Sequence, residues 1–177
     1  GGPVLINLIH DIDLMRFLYG DIASLQAMTS NAIRGHEVED TAVLMMRFVN
    51  GALGTVTVSD TTVSPWNYDL SARETDRFPQ QDINSHFFSG THGSLTLPKL
   101  EVWSYKDQRH WEKPISVMRC EPMRASPYEA QLNNFLGVIA GKEKPVCSAL
   151  DGLRALEAAL AVRESAASGR AVQLTSS

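Results

Sequence analysis

The segment from Thr41 to Ser59 limits what this chain can fold into more than any other. Thr41–Phe48 and Ala52–Ser59 are rich in β-branched and apolar residues, and Asn50-Gly51 between them is a tight-turn dipeptide. The pair therefore reads as a β-hairpin. Ala42, Leu44, Met46 and Phe48 fall on one side of the first strand. Val43 and Met45 fall on the other, with Thr41 and Arg47. A strand that is apolar on both faces needs both covered. Helices of this chain can take one face. The second needs another domain or another subunit.

The rest of the pattern supplies those helices. Ile12, Met15, Leu18 and Tyr19 recur at helical spacing and predict a first helix over His10–Tyr19, with Asp11 and Asp13 in its first turn and Gly20 as its stop. A strand over Ile22–Ser30 follows. Thr61–Asn84 has no clear period. Strands resume at His86–Ser89, Ser94–Leu97 and Glu101–Tyr105. Gly90-Thr91-His92-Gly93 reads as a turn between the first two rather than a phosphate loop, because strand and not helix follows it.

Two helices close the chain. Ser126-Pro127-Tyr128-Glu129 is a capping-box sequence with proline at the first helical position. The stripe Tyr128, Leu132, Phe135, Leu136 and Ile139 follows it and ends at Gly141. Ser148 and Asp151 open a long Ala/Leu helix with Leu153, Leu156 and Leu160 on one side, stopped by Gly169. Ala171–Leu174 is a last short strand. The order predicts an α+β fold: a mainly antiparallel open sheet with helices on one face, the other face used for oligomerisation.

Composition narrows the function. At 177 residues the chain fits one domain, residues 1–177, and 44% apolar content is ordinary for a globular protein. A formal net charge of -4 argues against nucleic acid as partner. No apolar run approaches the ~18 residues of a membrane span, so no membrane partner is expected. Cys120 and Cys147 form no CxxC pair and read as two free thiols, which fits a cytoplasmic setting. The sequence starts at Gly1 without an initiator methionine and reads as a piece of a larger protein.

His10 leads the candidates for chemistry. It stands where the first helix is predicted to begin, with Asp13 three residues on and on the same face. A carboxylate beside an imidazole fixes its tautomer and raises its basicity, as general acid–base work requires. A histidine that only caps or packs at the helix start is the plainer alternative. A metal held by His10, Asp11 and Asp13 is not expected, because Asp11 faces away from the other two. Trp66, Tyr68, Trp103, Tyr105 and Trp111 read mostly as core or interface, with room for one or two at a pocket for a sugar-like ligand.

Taken together, these pieces resemble a known family. Gly1-Gly2-Pro3-Val4-Leu5-Ile6-Asn7-Leu8-Ile9-His10-Asp11-Ile12-Asp13-Leu14-Met15-Arg16, with Gly20 after it, is similar to the start of the C-terminal domain of the Gfo/Idh/MocA oxidoreductases, the glucose–fructose oxidoreductase and inositol dehydrogenase family. Val38-Glu39-Asp40-Thr41-Ala42, the hairpin Phe48–Thr55, Gly90–Leu95, Asn134-Phe135, Ser148–Glu157 and Ser165–Val172 resemble later family segments in the same order. The resemblance implies a two-domain enzyme whose N-terminal Rossmann domain binds NAD or NADP. That domain is absent here, and this fragment alone is expected to bind no cofactor. The C-terminal domain supplies the substrate pocket and a sheet for homo-oligomerisation.

By the same resemblance His10 acts in proton transfer at the hydroxyl or carbonyl of a small sugar, polyol or related substrate. Asn7 and Asp13 bind or orient that substrate or the histidine. Many members carry an aspartate four residues before the histidine; this chain has Ile6 there. That departure leaves open a second reading, a non-catalytic binding or oligomerisation module with the same fold. The family's EKP lysine lies in the Rossmann domain, so Glu112-Lys113-Pro114 and Glu143-Lys144-Pro145, both after the histidine, read as coincidental loop sequences.

Overall fold

A computed structural model describes residues 1–121 and 126–174. The chain divides into two compact units, Gly1–Thr62 with Val146–Ser177, and Val63–Pro145. The fold is α+β, with its strands in two four-stranded antiparallel sheets.

The first unit opens with a π-helical turn, Val4–Leu8, which runs directly into helix α1, Ile9–Tyr19. Strands β1 (Ile22–Ser30), β2 (Thr41–Phe48) and β3 (Leu53–Ser59) follow, and helix α4 (Ala149–Ser168) and strand β8 (Val172–Gln173) complete the unit. The sheet order is β3-β2-β1-β8. Asn50-Gly51 makes the expected turn, with Gly51 at φ 88°, a conformation that glycine adopts without a Cβ clash. The hairpin register pairs Leu44 with Val56 and Met46 with Gly54.

Alternation along β2 decides the core. Ala42, Leu44, Met46 and Phe48 are buried with Ile22, Leu25 and Ala27 of β1, beneath Val4, Leu8, Ile12 and Met15 of the helical stretch. On the opposite face Val43 and Met45 are 46% and 56% exposed. The hairpin is thus apolar on two sides, as its sequence predicts, and among the described residues of this unit only one side is buried.

Helix α4 buries its small residues. The leucines Leu153, Leu156 and Leu160 are exposed, while Ala155, Ala158, Ala159, Ala161, Val162 and Ser165 form the buried face. Small side chains let the α4 backbone approach β1 and α1, the elements it packs against. The approach is close enough for a side chain to bond a strand. The buried Ser165 Oγ accepts from Ala27 N–H at 2.9 Å and donates to the Arg170 carbonyl at 2.6 Å. Strand β8 pairs only with Ser24 and Leu25, so Ser165 serves the β1 donor that β8 does not reach. Ser165→Ala leaves the buried Ala27 N–H without its partner and is expected to lower stability by about 2 kcal/mol in urea unfolding. A loss near zero means that water takes the place of the hydroxyl.

The second unit holds a short helix α2 (Tyr68–Ser71), an antiparallel meander β4-β5-β6-β7, and helix α3 (Pro127–Ile139). The meander comprises β4 (His86–Ser89), β5 (Ser94–Leu97), β6 (Glu101–Ser104) and β7 (Ser116–Arg119). Neither α2 nor β7 is expected from the pattern. β7 is four residues whose place comes from pairing with β6, Val102 opposite Met118. Its last residue, Arg119, is held by Glu101, whose carboxylate accepts from Asn84, Thr96 and Arg119. These hydrogen bonds, that from Arg119 foremost, hold the Glu101 carboxyl below its ordinary pKa. Ser126 caps α3 by accepting from Glu129 N–H. The apolar stripe of α3, Tyr128, Leu132, Phe135, Leu136 and Ile139, is exposed throughout.

Candidate functional site

The first helix begins within a residue of its expected start, and the π turn Val4–Leu8 ahead of it places His10, the second residue of α1, inside a longer helical stretch. Val4, Leu8, Ile12 and Met15 face the core, which turns Ile6, Asn7 and His10 outward. Asn7 and His10 are exposed and Asp13 is half-buried one turn further on. The three sequence candidates thus lie on successive turns of one helical stretch.

Asp13 is not turned to His10. Its carboxylate lies 3.6 Å from Arg16 Nη1 and accepts a long contact from the Cys147 thiol at 3.9 Å. Arg16 is the hub of this end of the unit. Its Nε and Nη2 donate to Asp21 Oδ1 at 3.2 and 2.7 Å, and its Nη1 donates to the Asp151 carbonyl at 2.9 Å. The Asp151 carboxylate lies 3.7 Å from Nη2. The Arg16 side chain is only 9% exposed, whereas those carboxylates are about half in water. One planar guanidinium therefore ties α1 to the start of β1 and to the first turn of α4, a use of the fork that a lysine lacks.

Asp151 also closes a capping box with Ser148 at the start of α4, where the sequence places the helix opening. Ser148 N–H and Oγ donate to Asp151 Oδ2 at 2.8 and 2.6 Å, and Asp151 N–H donates back to Ser148 Oγ. The Ser148 hydroxyl and N–H, with the Arg16 charge, hold the Asp151 carboxyl below its usual range. Asp13, Arg16, Phe17, Val146, Cys147 and Asp151 line a shallow cleft. Burial, and then the Asp13 and Asp151 charges, push the Cys147 thiol up, so it stays protonated and a poor nucleophile at neutral pH. Sequence reading misses Arg16 and Cys147. The one signal for Arg16 is its place between Asp13 and Asp21 at the end of a helix.

No G-x-G-x-x-G run occurs in the sequence. The paired strands are antiparallel throughout, without a parallel βαβ unit among the described residues. Among those residues no cluster of His, Cys, Asp or Glu is arranged to hold a metal ion. No helix there is long and apolar enough to cross a membrane. Cys120 and Cys147 are both free. Trp66, Tyr68, Trp103, Tyr105 and Trp111 all belong to the second unit, where the Tyr68 ring meets His86 edge-on and His86 stacks on Phe88. Both EKP triplets lie in its loops.

Comparison with known proteins agrees with this architecture. Residues 1–96 match the model of the GFO/IDH/MocA C-terminal domain. The chain is 27% identical to a 1,5-anhydro-D-fructose reductase of Ensifer adhaerens, over 98% of this chain and 48% of that protein. It is 25% identical to a D-apiose dehydrogenase of Rhizobium rhizogenes, over 94% of this chain and 47% of that protein. The chain thus spans about half the length of the curated relatives it matches. The crystal structure of an NAD-binding protein from Listeria innocua superposes with a TM-score of 0.71 at 22% identity, over 98% of this chain and 48% of that one. With its fold, its opening helical motif and a family match over more than half its length, this chain belongs to the GFO/IDH/MocA family, as a C-terminal domain of that family.

Proposed function

We propose that this chain is the substrate-binding and assembly half of an NAD(P)-dependent oxidoreductase that acts on a sugar, polyol or related hydroxy compound. The observation that carries this reading is the outward-facing row Asn7, His10 and Asp13 on one helical stretch of a domain of this family. His10 takes or gives the proton at the substrate hydroxyl or carbonyl. Asn7 binds the same substrate edge, and Asp13, itself held by Arg16, orients the group beside it. NAD or NADP binds on an N-terminal Rossmann domain of the longer protein, since this sequence holds no G-x-G-x-x-G run. Relatives named for the reduction of 1,5-anhydro-D-fructose and the oxidation of D-apiose support the substrate class. Two unpaired cysteines support a reducing, cytoplasmic setting.

The test is turnover by the longer protein of a panel of sugars and polyols. The panel includes 1,5-anhydro-D-fructose with NADH or NADPH, and D-apiose with NAD or NADP. Cofactor-linked turnover of at least one is expected. No turnover across the panel contradicts the reading and favours the non-catalytic assembly module, for which Ile6 in place of the usual aspartate speaks.

The reading includes self-association through the open sheet face. Met28, Val43, Met45 and Leu53 are exposed there, among threonines of β2 and β3. Apolar side chains in such an array are unusual on a monomer, and a two-fold axis across them closes the contact. In sedimentation at micromolar concentration the longer protein is expected to run as a dimer or larger, and Met45→Lys to run smaller. A wild-type protein that sediments as a monomer contradicts this part.

A further inference from the structure

The Val38-Glu39-Asp40 segment has no part in the site described above, yet it touches the helix that bears His10. Glu39 Oε1 accepts from Val4 N–H at 3.1 Å, across 35 residues of sequence. Val4 is the first residue of the π turn, and its amide is one of the donors that a helix start leaves without an internal partner. Gly2 is buried against the same residue. A Cβ on Gly2 would stand 2.5 Å from the Glu39 carbonyl oxygen, so only glycine lets the two segments close. The Gly2 carbonyl in turn accepts from Ile6 N–H at 3.3 Å.

Glu39 is itself held still. Its neighbour Asp40 is buried, with 1% exposure, and accepts from Ile33 N–H, Arg34 N–H and Thr41 Oγ1. The Asp40 backbone bonds Ser30 on one side and Asp60 on the other, which fixes the segment between the ends of β1 and β3.

The π turn ends where the Ile9 amide reaches back five residues to the Val4 carbonyl. His10 is the next residue. Wide turns of this kind are rare, recur at functional sites, and change which residues share a face. The stretch beyond His10 is anchored separately, by Ile12, Met15 and Arg16. The phase of His10 therefore depends on what holds Val4–Leu8. We propose that Glu39 is a positioning residue for His10, clasping Val4 against Gly2 so that the π turn keeps the imidazole on the outward row with Asn7 and Asp13. This rests on the reading of His10 as the proton-transfer group.

The experiment uses the longer protein with Glu39→Ala, Glu39→Gln, Gly2→Ala and His10→Ala. Hydrogen exchange is read over Val4–Leu8 and over Ile12–Tyr19. kcat and KM are read with whichever of 1,5-anhydro-D-fructose and D-apiose is turned over. Glu39→Ala and Gly2→Ala are expected to speed exchange over Val4–Leu8 by roughly tenfold, as loss of one helix cap does. Ile12–Tyr19 is expected to stay protected. In the same variants kcat is expected to fall roughly 10- to 100-fold with KM little changed, the signature of a displaced reacting group. Glu39→Gln keeps an acceptor oxygen and is expected to behave as wild type, whereas a general fold defect would also raise exchange over Ile12–Tyr19. Wild-type exchange over Val4–Leu8 in Glu39→Ala overturns the clasp. So does a wild-type kcat in Glu39→Ala when His10→Ala has lost activity. A wild-type kcat in His10→Ala overturns the proton-transfer reading, and the clasp's catalytic meaning with it.

Discussion

Replacing His10 with alanine in the longer protein is expected to lower kcat by roughly 10²–10⁴, the range for loss of a general acid–base group. Val4, Leu8, Ile12 and Met15 claim the core side of the helical stretch, so the backbone presents His10 outward without cost to the core. The substitution then removes a reactive group and little buried surface, and the melting temperature is expected to stay near wild type. The two kinetic constants separate the roles. If His10 moves the proton, kcat falls and KM changes little. If it only holds the substrate, KM rises and kcat is kept. A variant with both constants unchanged places the chemistry elsewhere and leaves this face a binding surface.

Arg16→Ala is expected to destabilise the first unit by about 3 kcal/mol in urea unfolding, more than an ordinary surface ion pair contributes. The reason is asymmetry of burial. The guanidinium is 9% exposed, while Asp13 and Asp151 keep 39% and 43% of their side chains in water. Removal strands three carboxylates near one another and takes from the Asp151 carbonyl the side-chain donor that Arg16 supplies. Arg16→Lys is expected to recover less than half of the loss. An ammonium is a single point charge and does not bond Asp21 and the Asp151 carbonyl through one rigid fork. A loss below about 1 kcal/mol in Arg16→Ala would mark the cluster as solvated charge of the ordinary kind.

What the sequence makes legible here is local. Asn50-Gly51, the alternation along Thr41–Phe48 and the Ser148–Asp151 helix opening depend on residues a few positions apart, and each appears where the pattern puts it. The pattern of α4 puts its leucines on one side but does not say which side is buried. In the fold, close approach of α4 to β1 selects the alanine side and leaves Leu153, Leu156 and Leu160 outside. The single sheet suggested by the strand order is two sheets, since strand order in sequence does not say which edges pair.

At the site, His10, Asn7 and Asp13 and the start of α1 are readable, and the π turn ahead of α1 is not. Pro3 and the spacing Val4, Leu8, Ile12 hold the helical signal, but the glycines before them and the unbroken apolar run hide it. The partners that matter most come from far along the chain. Glu39 meets Val4, Arg16 meets Asp151, and Ser165 meets Ala27, over 35, 135 and 138 residues. Periodicity says nothing at those separations.

The central claim is a division of labour: this chain holds the substrate side and the proton, and another domain holds the nicotinamide cofactor. Titration of NADH and NADPH fluorescence against this 177-residue chain and against the longer protein tests it most directly. Saturable binding by the longer protein and none by this chain is the expected result, because this sequence holds no G-x-G-x-x-G run. Saturable binding by the 177-residue chain itself contradicts it.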